Sequence, residues 1–293
     1  STSTPFYVIE IRGTATIDGG TFTAGTDSSD IGYALRVYNG GDLELNYATI
    51  VSTYGGILIR STDGQTSSTT ATIAVFGDGY ESEEDNDRAV LTILDVDVDM
   101  TNTNPIESES VCIGTNASAG AYGGHTINIE GGTFNGNTGC YFPSYGLYNI
   151  TGGTFETSMY GIRIAAGILK ISGDATIQTN VERSDSELTV DEKPTGIMGP
   201  LTVGKVSTGY VGDIEIHIDG GTLSNSIGNA ITVYDDTMGA EELANNSISL
   251  SLTGGNVTGD VEFTSDDDRD NDSGSLSLTL DGGSIDGDLS IEA

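Results

Sequence analysis

The segment INIEGGTF, residues 127–134, decides how this chain is read. It returns as IDGGTF at 17–22, ITGGTF at 150–155, IDGGTL at 218–223, LTGGNV at 252–257 and LDGGSI at 280–285. Each copy has one grammar: an apolar residue for an interior, then a polar residue for water. Two glycines turn the chain, a hydroxyl or amide residue follows, and a second apolar residue returns to the interior. The step between copies is as short as 21 residues, from Ile129 to Ile150. Self-similarity at such a period marks a solenoid.

Composition agrees. The 293 residues include 42 glycines, 5 prolines and no tryptophan, and β-branched residues alternate with polar ones. That mixture suits short strands and tight turns. LTILDVDVDM, residues 91–100, alternates strictly, with Val96, Val98 and Met100 on one face and Asp95, Asp97 and Asp99 on the other. Like charges on one strand face are unfavourable unless hydrated or metal-bound.

Forty-four acids against 10 Lys plus Arg give a net charge of −34. Phosphate binding needs clustered Lys and Arg, so nucleic acid is excluded as a partner. An anionic membrane surface is excluded likewise, whereas metal cations are favoured. No run of 18 apolar residues is present, so no membrane insertion is expected. No signal peptide is visible, so for an extracellular protein Ser1 is read as a processed or excised start.

Stacking one repeat on the next places equal positions about 4.8 Å apart, the spacing of hydrogen-bonded strands. Three inward columns then appear. The first holds Ile17, Ile129, Ile150, Ile171, Ile218, Leu252 and Leu280. The second holds Phe22, Phe134, Phe155, Leu223, Val257 and Ile285, and the third Leu35, Ile57, Ile113, Ile162, Ile231 and Val261. A single coil cannot bury its apolar side, but stacked neighbours can. An antiparallel sandwich would instead need hairpin turns every ~8–12 residues without this period. The fold class expected is all-β, a right-handed parallel β-helix of about ten coils. Residues 1–293 form one domain, with an irregular excursion at about 179–212 lying outside the stack.

The IxGGTF units, with segments such as YGIRIAAG between them, resemble the β-helix repeats of large bacterial cell-surface, adhesin-type proteins. The architecture is also that of the pectate-lyase-like superfamily. The resemblance covers nearly the whole chain, but its motif is structural and brings no catalytic residue or ligand. Polygalacturonases of similar architecture carry Asn-Thr-Asp, Asp-Asp, Gly-His-Gly and Arg-Ile-Lys elements. Here His125 sits in GGHT and Arg163 in RIA, so the pattern is incomplete.

Outward residues beside the first column are the candidate ligand-binding groups. On one side stand Asn128, Asn149, Lys170 and His217; on the other, Asp18, Glu130, Thr151, Ser172, Asp219, Thr253 and Asp281. Amides and carboxylates at strand spacing pair with sugar hydroxyls along an extended glycan. The same residues also satisfy the plain need for polar side chains on a solvated strand face. A hydrolase would need two carboxylates about 5–9.5 Å apart, for which Glu130 and Asp219 are the candidates. A lyase would need a base such as Lys170 or Arg163, with calcium to bridge the acidic chain to a polyuronate. No catalytic constellation is complete, so catalysis is not the expected role.

Asp268, Asp270 and Asp272 alternate in the loop DDDRDND as oxygen ligands do in calcium loops, which makes Ca²⁺ the candidate cofactor. The glycine falls one residue late and no closing Glu follows, so a hydrated acidic turn is the plainer account. Glu81, Glu83, Glu84, Asp85 and Asp87 invite the same reading. Cys112 and Cys140 align with the small residues Ala34, Gly56, Gly161 and Ala230. Consecutive rungs would bring them within reach of a disulfide, or stack them as two small thiols.

A β-helix leaves unpaired strand edges at its ends. Either the chain is part of a longer surface protein, or its ends support end-to-end self-association. The expected role is an extracellular or cell-surface, non-catalytic adhesin-type β-helix that binds a carbohydrate or host surface. The alternatives are a polysaccharide lyase or glycoside hydrolase, and a structural spacer or filament subunit.

Overall fold

The computed structural model describes residues 6–25, 32–38, 41–60, 90–100, 110–115, 125–143, 146–180, 198–204, 213–235, 247–265 and 275–292. Among these residues every regular element is a strand. The strands pair in parallel, the inner ones with counterparts one turn earlier and one turn later. This is a parallel β-helix.

The glycine-paired repeats set the phase of each turn. The first inward column runs Ile17, Leu45, Ile93, Ile129, Ile150, Ile171, Ile218, Leu252, Leu280 in continuous register. The second runs Phe22, Ile50, Val98, Phe134, Phe155, Ile177, Leu223, Val257, Ile285. The third runs Ile9, Leu35, Ile57, Ile113, Cys140, Ile162, Leu201, Ile231, Val261, Leu289. Ile129, Ile150, Ile171, Phe134, Phe155 and Ile162 are all 0 % exposed, so mid-stack positions are shielded on every side. Burying one such side chain stabilises by roughly 1.5–3 kcal/mol. Aromatic residues reinforce the stack: the Phe134 and Phe155 rings lie parallel with centroids 4.4 Å apart.

The second glycine of the repeat meets two demands at once. Gly132 has φ +107°, and a Cβ there would lie 2.4 Å from the Val96 carbonyl oxygen. Gly153, Gly221, Gly255 and Gly283 also hold positive φ at this corner. Only glycine takes such a conformation without steric penalty.

Two placements depart from the sequence reading. The interval 179–212 is not wholly an excursion. Gly199–Gly204 is a strand inside the stack, with Leu201 between Ile162 and Ile231. Residues 181–197 and 205–212 lie outside the described residues.

The second departure concerns Cys140, which belongs to the third aliphatic column opposite Ile113 and Ile162. Gly139 takes the small-residue position between Cys112 and Gly161. The cause is an extra residue between Thr157 and Tyr160, which pair with Gly136 and Thr138. That bulge moves the alignment by one position.

The disulfide, one of the two arrangements expected for this pair, is not formed. Cys112 and Cys140 are both free and fully buried. Cys112 stands opposite Gly139, and its thiol lies 3.5 Å from the Asn135 carbonyl oxygen. Burial pushes the Cys112 thiol far up, with Asp99 adding to the effect. Burial does the same to Cys140, with Cys112 adding. Thiolate is the reactive form, so both groups are inert while folded. A thiol reagent should find none of the two in native protein and both after denaturation without reductant. No labelling even in denaturant would restore the bridge.

The core opens at the two ends of the described stack. Leu280, Leu289 and Ile291 are 45 %, 42 % and 55 % exposed, although their column mates are buried. At the other end Val8 and Ile9 are 47 % and 37 % exposed.

Candidate functional site

The outward face of the first set of strands carries the candidate residues. Register places Thr92, Asn128, Asn149, Lys170, His217, Ser251 and Thr279 on consecutive rungs. The four residues expected to form a row, Asn128, Asn149, Lys170 and His217, do form one. Thr92 and Ser251 extend it in both directions, an extension hidden by the uneven spacing of those rungs.

Within the row the amides form a directed chain. Asn149 Nδ2 donates to Asn128 Oδ1 at 2.8 Å, and Asn128 Nδ2 donates to Thr92 Oγ1 at 3.3 Å. Each carboxamide is thus held in one orientation by its neighbour, and linked hydrogen bonds polarise one another. Lys170 is exposed beside Asn149. His217 Nε2 lies 2.6 Å from Glu215 Oε1, two residues earlier on the same strand. A carboxylate only accepts, so Nε2 is the donor and is not available as a base.

A second row follows two residues on. Thr151 N donates to the Ile129 carbonyl and Ser172 N to the Ile150 carbonyl, which keeps this row in register as well. Glu130 is exposed beside Thr151, and Asp219 accepts from Thr253 Oγ1. Glu130 and Asp219 stand three strand steps apart, by way of Thr151 and Ser172. At about 4.8 Å per step that is roughly 14 Å, beyond the ~5–9.5 Å window for a glycosidase pair. These two carboxylates cannot flank one glycosidic bond.

The basic candidates are separated too. Lys170 is on the first set of strands and Arg163 on the third. Arg163 is 9 % exposed and lies over the Tyr141 and Tyr160 rings at 5.2 Å each. It packs rather than presenting a free base.

His125 is interior, 0 % exposed, at the rung position held by Gly146 in the next coil. Burial pushes its imidazole down to about 4 from the usual 6.5. Between those two values the unfolded chain binds a proton that the folded chain refuses. The contribution of His125 to stability is therefore fully present above about pH 6.5 and is lost toward pH 4, by roughly 3 kcal/mol in all. His125→Gln should flatten this part of the profile when denaturant midpoints are compared between about pH 7 and about pH 4.5. An equal acid loss in both proteins would remove His125 as the cause.

Asp95, Asp97 and Asp99 are exposed, and the strand neighbours of Asp97 and Asp99 are uncharged. Asp97 lies between Thr49 and Thr133, and Asp99 between Val51 and Asn135. Among the described residues no group of three or more His, Cys, Asp or Glu is placed to hold a metal. Asp268, Asp270, Asp272 and the acidic run 81–88 lie outside the described residues.

One residue of this face was missed by the sequence reading. Tyr47 lies at the glycine corner with φ +50°, the sole non-glycine residue with positive φ among those described, and is 69 % exposed. The signal was present: LNYATI laid under IDGGTF puts Tyr47 on Gly19.

No family model matches the chain, and no curated protein or solved structure matches it either.

Proposed function

We propose that this chain is a non-catalytic, extracellular surface β-helix of adhesin type that holds an extended glycan along the outer face of its first strands. The observation that carries this reading is the unbroken polar row from Thr92 through Asn128, Asn149, Lys170 and His217 to Ser251. Thr92, Asn128 and Asn149 are oriented by one another, and the whole row repeats at a fixed rise on a parallel sheet. A polymer with repeating hydroxyls meets such a row at several points at once. Each contact is weak alone, and pre-organisation keeps the ordering cost of binding low. The separation of Glu130 from Asp219 and the pairing of His217 with Glu215 favour holding a chain over cleaving it.

A glycan array run beside reducing-sugar and unsaturated-product assays, with and without calcium, tests this. Saturable binding without product is expected, weakened by Asn149→Ala or Lys170→Ala. Turnover lost in Lys170→Ala, or His217→Ala, would replace the reading with an enzyme. Neither binding nor product would leave a structural spacer.

A further inference from the structure

Tyr47 stands where this fold otherwise uses glycine. In the preceding coil the aligned residue is Gly19, at φ +93°, and the glycine-paired repeats carry glycine at this first place as well, with Gly282 of the last coil again at positive φ. A left-handed backbone conformation is disfavoured for a residue with a Cβ, most of all for a bulky one. Strain at a folded position is normally offset by packing. Here the side chain is exposed, so burial offsets nothing. Tyr47 is thus strained where glycine would serve, and it projects a large amphipathic ring into water. Strain retained in this way is a mark of a site.

Its surroundings point to the ligand. Asn46 Nδ2 donates to Asp18 Oδ1 at 3.3 Å, so an amide and a carboxylate are tied together beside the ring on consecutive rungs. Asp95 occupies the next rung beside Asn46 and is exposed. The exposed Tyr47 ring thus directly follows, along the chain, an amide fixed by hydrogen bonding to a carboxylate. These residues follow directly after the same strands as the polar row, so they prolong the face toward the first coils. An aromatic face beside carboxylate and amide groups matches a pyranose, which has an apolar C–H face and a rim of hydroxyls. With Asp18 and Asp95 on the rungs either side of Asn46, an anionic sugar would be repelled.

We propose that Tyr47, Asn46 and Asp18 form a subsite for one uncharged pyranose unit of a glycan, with the Tyr47 ring stacked on the sugar. This rests on the glycan-binding reading of the polar row and adds to it a class of sugar and a second anchoring point. Asn46 and Asp18 bind the sugar hydroxyls, and the exposed ring supplies the stacking face.

The strain makes the test clean. Tyr47→Gly restores the residue type used at this corner in other coils, so the variant should melt no lower than the parent chain. Binding of cellohexaose and chitohexaose, both uncharged, is measured by calorimetry on the full chain and on Tyr47→Gly, Tyr47→Phe and Asn149→Ala. Whichever hexasaccharide binds should weaken about tenfold or more in Tyr47→Gly, an effect of the size of one lost stacking contact with its ordering. Tyr47→Phe keeps the ring and should stay within about threefold of the parent. Unchanged binding in Tyr47→Gly with a loss in Asn149→Ala overturns the subsite and leaves the row intact. Equal losses in Tyr47→Phe and Tyr47→Gly overturn stacking as its basis. Binding of neither hexasaccharide to the parent chain overturns the subsite together with the reading of the face.

Discussion

Phe155→Ala should lower the stability of the stack by about 3–5 kcal/mol. The ring is 0 % exposed and lies parallel to Phe134, 11° from coplanar. Its register partner on the other side is Ile177. It also fills the space over Gly139, where a Cβ would come within 2.7 Å of Cδ1. The cost is high because the cavity cannot collapse. Hydrogen-bonded strands above and below hold the rung spacing near 4.8 Å whatever the side chain. Phe134→Ala should cost a similar amount. The double variant should lose less than the sum, by about 0.5–1.5 kcal/mol, as expected for rings that stack on one another. The measurement is denaturant unfolding joined to amide exchange, since stacked coils open locally before the whole chain does. A cost below about 1 kcal/mol for Phe155→Ala would mean that the ring is not held between two rungs.

Gly132→Ala should cost about 3 kcal/mol or more, adding a collision to conformational strain. The left-handed conformation at φ +107° is the first component. The second is the approach of a new Cβ to Val96, at 2.4 Å from the carbonyl oxygen and 2.8 Å from the nitrogen. Both are backbone atoms of a paired strand, and neither can rotate away. Two comparisons separate the components. At Gly19, with φ +93°, a Cβ would meet nothing nearer than the Tyr47 oxygen at 3.9 Å. Gly19→Ala therefore carries strain alone, about 1–2 kcal/mol. At Gly13 a Cβ meets nothing within 4 Å and φ is not positive, so Gly13→Ala should move stability by no more than about 0.5 kcal/mol. If the three alanine variants unfold together, the close approach of successive corners is not what this corner requires.

The three inward columns were legible because the glycine pair fixes the phase of each repeat, and period-two alternation then fixes which residues turn inward. Ile17, Ile129, Ile150, Ile171 and Ile218 needed no more than that. Cys140 was placed one position off because a bulge between Thr157 and Tyr160 has no signature in residue type. Gly199–Gly204 was passed over because it lacks the glycine pair and follows an acidic stretch. Its pairing with Ile162 and Ile231 comes from contacts distant in sequence. In the candidate site the row from Asn128 to His217 was legible, since it flanks an inward column of known register. The Glu130 to Asp219 separation was not, because it depends on how many rungs lie between them. Tyr47 was visible in the alignment but carried no meaning until its backbone angle and exposure were known.

Among the described residues each inner strand takes its hydrogen bonds from the turns just before and just after it. The molecule can therefore be laid down in chain order, each finished turn serving as template for the next. A flaw at one turn then acts as a dislocation: what was laid down earlier keeps its order, and growth beyond it loses its template.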